Sequence, residues 1–459
     1  MGVKLDWDIE AEKGKQKEHR EDKIERKSRY LGVLRLLLVV AVFAGLIGAV
    51  IYLIQQRLEQ VNQELEQLLI DTVQAEVTAL RLGDLTAFEA LQRSASEDWL
   101  ITQRQTYDAY QSLKMTSSLT LSGRVIDVET DDQRGRVQVE EIIDGAPYVQ
   151  TWFYWRYEEG WFHVPPDYTF WGEPAEITRE THTIRYRGLD ESLAQALDQT
   201  LVRWREESCT YLDCASVPRI TVDLIPEPQA PVRWQDTAPD VWQLIVPSPY
   251  TARARADQPF MVSLQVDVAA QLAERLVSQV TGNLDPLTGS DADFLQESVT
   301  AWFVGRFVQI NPETHLLQSL IDQHGADSLT RLLQNLQSVS DMSLLATITD
   351  SASLADLDLD WRDFVLWRLQ LEDDLIVRGD QAGWEALYDF SRTDVRDIAY
   401  QRYLNSFIAN ERTVLSTSLA TSDSGVPQLV ARVNVTRGFE SGEEVVVFNL
   451  INGNWLRAN

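Results

Sequence analysis

Arg81-Leu-Gly-Asp-Leu-Thr-Ala-Phe-Glu-Ala-Leu91 and Val377-Arg-Gly-Asp-Gln-Ala-Gly-Trp-Glu-Ala-Leu387 share Gly-Asp and Glu-Ala-Leu at matched places. Gly83 matches Gly379, so the copies lie 296 residues apart. The segments that close each region also match. Trp155-Arg-Tyr-Glu-Glu-Gly160-Trp161 answers Phe448-Asn-Leu-Ile-Asn-Gly453-Asn-Trp455, an aromatic strand turning at Gly into a last strand that carries Trp. Similar offsets at both ends predict two copies of one domain.

The first copy shows what that domain is. Leu58 to Leu91 has apolar residues at helical spacing (Leu65, Leu68, Leu69, Val73, Val77, Leu80) and breaks at Gly83-Asp84. Four β-rich runs follow: Leu119 to Val128, Gly135 to Ile143, Tyr148 to Tyr157 and Trp161 to Val164, with turn residues between them. Helices followed by an antiparallel meander predict an α+β domain with its helices on a curved sheet. Both copies resemble the nuclear-transport-factor-2-like cone fold, over 57–172 and 372–459. The resemblance implies a concave sheet face that is an enzyme pocket, a binding cavity or a packing surface. The candidate pocket residues are Trp152, Trp155, Tyr157 and His163. His163 shows no carboxylate nearby in the sequence and is assigned no chemical role.

Composition narrows the function. The 459 residues carry 41 Lys+Arg against 70 Asp+Glu, a net charge of -29, which disfavours binding to a nucleic-acid backbone. Two Cys and five His are too few and scattered for a zinc ribbon or a disulfide framework. From Leu36 to Ile54 no charge interrupts an apolar run, and at about 1.5 Å per residue it nearly spans a hydrocarbon core of about 30 Å. This predicts a transmembrane helix within 31–56, with the lipid bilayer as partner. Lys23, Arg26, Lys27, Arg29 and Arg35 precede it, whereas only Arg57 follows before Arg81, so the N-terminus is expected in the cytoplasm. Residues 1–30 read as a charged, solvated tail. After residue 54 the chain carries 31 Arg+Lys against 62 Asp+Glu, which favours solubility over contact with anionic lipid. Outside the cytosol Cys209 and Cys214 can form a short-loop disulfide or stand as free thiols.

Residues 173–371 follow another order. Strands at Thr183 to Tyr186, Arg219 to Ile225 and Trp242 to Val246 surround a helix at Leu193 to Trp204, and mostly helix follows. The succession Gln279-Val-Thr-Gly282, Phe294-Leu-Gln-Glu-Ser-Val-Thr-Ala-Trp302, Ser319 to Leu333 and Ser353 to Phe364 is similar to the gluzincin, or peptidase-MA-like, domain. That family places two His at i and i+4 of one helix, with a Glu beside the first and a third ligand on the next helix. Here the matching positions read Ala270-Gln271-Leu272-Ala273-Glu274 or, shifted by three, Ala273-Glu274-Arg275-Leu276-Val277, which keeps the Glu but neither His, and only Glu297 matches the third ligand. One carboxylate does not hold zinc, so the resemblance implies a degenerate site, no catalytic residue and no cofactor.

No Gly-x-Ser-x-Gly elbow, P-loop or Gly-x-Gly-x-x-Gly occurs. Asp285, Asp291 and Asp293 lack EF-hand spacing and read as loop, and Asp360 reads as a helix cap. The expectation is an α+β multidomain, bacterial-type, single-pass membrane protein. Its extracytoplasmic part is a non-catalytic pseudo-peptidase that binds or scaffolds a protein or peptide partner. Two alternatives stay open: a metal-dependent hydrolase using Glu274 and Glu297, and a small-molecule sensor with a cone-fold pocket.

Overall fold

Helix α1 (Trp7–Leu82) ends where Gly83 turns to φ +77°, and Gly83 N and Asp84 N both donate to Ala79 O, at 2.9 and 3.0 Å. Glycine is favoured there because a Cβ strains the left-handed conformation. Asp84 then accepts from Ala87 N at 3.0 Å and starts α2 (Leu85–Ala90). The Gly-Asp pair is therefore a helix stop followed by a helix start. Helix α3 (Glu97–Thr116) leads into β1 (Leu119–Thr130), β2 (Arg134–Ile143), β3 (Ala146–Tyr157) and β4 (Gly160–Val164). These strands lie in the order β1-β2-β3-β4, antiparallel where β1 meets β2 and β3 meets β4. The core between helices and sheet includes Val73, Val77, Phe88, Tyr107, Trp152 and Trp161.

The computed structural model describes residues 7–212, 217–235, 242–310, 314–405, 408–409, 411–438 and 440–459, with side chains from Leu38 onward except 39 and 42. Among these residues the chain is an α+β multidomain protein with twelve α-helices and three sheets. Two compact units emerge: 1–145 with 152–166, and 146–151 with 167–459.

In the second unit β5 (Pro174–Thr178), β6 (His182–Arg187), β7 (Ile220–Ile225), β8 (Arg233–Trp234) and β9 (Trp242–Pro247) form a sheet ordered β5-β6-β7-β9-β8. Its three central strands are parallel and its edges antiparallel, with α4 (Glu191–Cys209) crossing from β6 to β7. The short β10 (Ala254–Arg255) pairs with Val149 and Tyr148. Then come α5 (Val262–Val280), α6 (Asp291–Val308), α7 (His315–His324), α8 (Asp327–Asn335) and α9 (Ser343–Ile348).

Helix α10 (Arg362–Arg378) stops at Gly379, φ +72°, and Asp380 caps α11 (Gln381–Glu385) by accepting from Gly383 N at 2.9 Å. Helix α12 (Thr393–Leu404) and the meander β11 (Glu411–Thr421), β12 (Pro427–Arg437), β13 (Glu440–Ile451) and β14 (Asn454–Arg457) complete the second α+β repeat. The boundary expected between 371 and 372 falls inside α10, which is one helix. Phe364, in its first turn, meets both Phe294 of α6 at 5.7 Å and Phe448 of the C-terminal sheet at 6.4 Å. Trp361 meets Trp455 edge-on at 5.8 Å, and the buried Arg368 reaches Asp291 at 3.6 Å and Trp455 O at 3.3 Å.

Helix α1 likewise runs through the boundaries expected at 30/31 and 56/57, and residues 1–6 lie outside the described residues. The expected span Leu36 to Ile54 lies partly outside the described side chains. Among the described residues no helix is long and apolar enough to cross a membrane. Those side chains that are described between Leu38 and Ile54 are all exposed.

Candidate functional site

Each helix-and-meander repeat carries one buried carboxylate on its first helix, seven residues before the glycine stop. Glu76 lies on the inner stripe of α1 between Val73 and Leu80, and Glu372 lies on α10 between Leu369 and Leu375. Burial of an ionisable group requires partners, and both find them on the closing strand. His163 on β4 opposes Tyr154, and Arg457 on β14 opposes Phe448. His163 N donates to Leu91 O at 2.8 Å, and Arg457 N donates to Leu387 O at 2.9 Å. The two residues thus occupy equivalent positions.

Around Glu76, Oε1 accepts from Gln92 Nε2 at 2.8 Å and lies 2.8 Å from His163 Nδ1, while Oε2 accepts from the Tyr154 hydroxyl at 2.7 Å. Burial, then the Glu76 charge, pushes the Tyr154 hydroxyl well above its ordinary range, so it remains a donor. Around Glu372, Oε2 accepts from the Tyr388 hydroxyl at 2.9 Å and from Arg457 Nη1. Burial and the Glu372 charge hold Tyr388 protonated as well.

The interiors differ. In the first repeat Trp152 is buried and stacks on His163 at 5.4 Å, with Tyr154 at 5.0 Å and the edge of Trp99 at 5.4 Å. Counting back from the paired strands, Val446 holds the place of Trp152 in the C-terminal repeat. There a cavity of about 480 Å³ remains. Leu369, Ile376, Val435 and Val446 supply its apolar wall. Its charged wall holds the ion pairs Arg412–Asp373, Arg437–Glu444 and Arg457–Glu372, together with Arg402 and Asp397. Arg402 Nη1 donates to Asn459 O at 2.9 Å. Burial, then the neighbouring Arg457 charge, lowers the Arg402 guanidinium from its usual range.

Trp152 and His163 share the inner face of the first sheet, but Trp155 and Tyr157 have the opposite parity on β3 and point away from it. Trp155 is 46% exposed, and Tyr157 packs on Phe162 at 5.6 Å beneath the Arg93 guanidinium. The four therefore form no single pocket. His163, read as lacking a carboxylate, has Glu76, 87 residues earlier. Gly-Asp was found because it is contiguous. Glu76 and Glu372 were missed, although they share the same 296-residue offset.

On α5, Ala270 and Gln271 are half-buried and Glu274 is exposed, while Gln271 O accepts from Trp234 Nε1 at 3.2 Å. Glu297 is exposed on α6, and desolvation followed by the Asp293 charge raises its carboxyl. Among the described residues no three His, Cys, Asp or Glu side chains group to hold a metal ion. Asp291 faces Arg368, Asp293 accepts from Gly289 N at 2.7 Å, and Asp360 accepts from Arg362 N at 3.3 Å. Cys209 is disulfide-bonded, and the chain's other cysteine, Cys214, lies outside the described residues. Comparison with family models, with curated proteins and with solved structures finds no match.

Proposed function

We propose that this chain is a membrane-anchored, non-catalytic binding protein whose C-terminal cone holds a small ligand. The observation that carries the reading is the contrast between the cones: aromatic rings fill the first, and a cavity of about 480 Å³ opens in the second. That volume falls in the range of small-molecule sites, and an apolar wall with a few placed polar groups is their usual lining. In this reading the first cone is a structural copy, and the middle domain is a pseudo-peptidase body, supported by Ala270 and Glu274 at the aligned imidazole positions and Gln271 at that of the neighbouring Glu. The anchor is the apolar run Leu36 to Ile54. Its described side chains are bare of protein, an arrangement that suits lipid rather than water.

Native mass spectrometry of the full chain, extracted in mild detergent and released in the gas phase, tests the reading. A bound species below about 1 kDa, retained through purification and removed by partial unfolding, is the expected result. The bare chain mass from repeated extractions would count against a ligand site.

A further inference from the structure

Helix α1 enters the first domain along a stretch that the domain's own core does not cover. From Gln55 to Leu68 the side chains are exposed except Leu65 and Glu66, which are half-buried. At about 1.5 Å per residue this stretch is about 21 Å long. Its apolar residues are Leu58, Val61, Leu65 and Leu68, and every other position is Gln, Glu, Asn or Arg. Spacings of three, four and three are the strict a/d pattern of a coiled-coil seam, narrower than the stripe a helix turns to a globular core. Leu58 and Leu68 are 59% and 56% exposed. The core takes another stripe, Leu69, Val73, Val77 and Leu80, which lies roughly a quarter-turn from the seam at about 100° per residue. The domain therefore leaves the seam open. A helix this short is marginal in water until an apolar face packs on something.

We infer that this seam pairs with the same seam of a second copy of the chain, as a parallel two-stranded coiled coil. Charge selects that occupant over a lipid surface, because the polar positions of the stretch hold one Arg against three Glu, whereas helices lying on anionic lipid are rich in Lys and Arg. Charge also fits a twin. In a parallel pair Arg57 comes opposite Asn62 of the second copy, and Glu64 opposite its Leu69, so no like charges meet along the flanks. The apolar run Leu36 to Ile54 precedes the seam in the same helix, and two copies anchored with one topology lie parallel. The parallel orientation rests on the anchor reading; the seam itself does not.

Single cysteines in the full chain, extracted in nonionic detergent, test this. In a parallel, in-register pair each seam residue faces its own counterpart, so Leu58→Cys and Leu68→Cys should both give disulfide-linked dimers on mild oxidation. Gln63→Cys, on the outer side of the helix, should give at least about tenfold less, since a disulfide needs Cα atoms within about 7 Å. The parent chain, with Cys209 and Cys214 alone, sets the background. Light scattering should return twice the chain mass for the parent and the single mass for Val61→Asp, whose circular dichroism should be unchanged because Val61 lies outside the core. Linkage at only one of Leu58→Cys and Leu68→Cys would overturn the parallel orientation, since an antiparallel pair brings a residue to its own counterpart at one place only. A monomeric or trimeric parent, or equal linkage in Gln63→Cys, would overturn the pairing, and retention of the chain in the membrane pellet decides separately whether the anchor reading stands.

Discussion

Glu76 and Glu372 are the residues on which each α+β repeat closes. Each joins the first helix to the last strand, and each is almost fully buried. Removing one member of a buried, hydrogen-bonded charge pair strands the other. Glu372→Ala should therefore cost about 3–5 kcal/mol by leaving Arg457 uncompensated. In the first repeat the partners of Glu76 are groups that can be neutral, so Glu76→Ala should cost less, about 1–3 kcal/mol. Urea midpoints of the two variants check the order, and equal losses would contradict it. Asp363 gives a pH test. Burial lifts its carboxyl to about 7 although it accepts from Leu316 N at 3.1 Å, and the Asp360 charge lifts it further. The folded state then holds a proton that the unfolded chain releases near pH 4. Its stabilising contribution is present below about pH 4 and is lost as pH rises towards 7, on the order of 4 kcal/mol. Asp363→Asn keeps the acceptor and removes the titration, so its stability should exceed that of the parent at pH 8 and match it near pH 4. Parallel pH profiles would defeat this account. None of these pairs was legible in the sequence, because 87 residues separate Glu76 from His163 and spacing rules reach only neighbours.

At the scale of elements, the Gly-Asp repeat was legible because one short stretch holds both a helix stop and a helix cap. Gly379 has open space where a Cβ would sit, so Gly379→Ala isolates the conformational strain of φ +72° and should cost about 1–2 kcal/mol. Asp380→Ala should cost about 1 kcal/mol through the lost cap to Gly383 N. Thermal unfolding of both variants measures this, and a midpoint unchanged in Gly379→Ala would refute the assigned role. The aromatic run on β3 was legible as a strand, but its division was not applied: period two sends Trp152 inward and Trp155 outward, whatever their common chemistry. Helix α10 was obscured for another reason. Its Phe364 faces both partners at once, so no break in pattern marks the place where one domain hands over to the next.

Across the whole molecule, element order and the repeat were enough to reach an α+β multidomain architecture, since helices before a meander leave few ways to bury both. Which repeat would be open was not readable, because Trp152 and Val446 are both ordinary apolar strand residues until the register aligns them. The membrane reading predicts that the full chain stays in the pellet after an alkaline carbonate wash, and that deleting Leu36 to Ile54 releases it; release of the intact chain would count against the anchor. The central claim is that the second repeat is a binding site because Val446 leaves space that Trp152 fills in the first. Native mass spectrometry of the parent chain and of Val446→Trp, both confirmed folded by circular dichroism, tests it most directly. A bound small species in the parent and none in the variant is the predicted result; equal retention by both would contradict it.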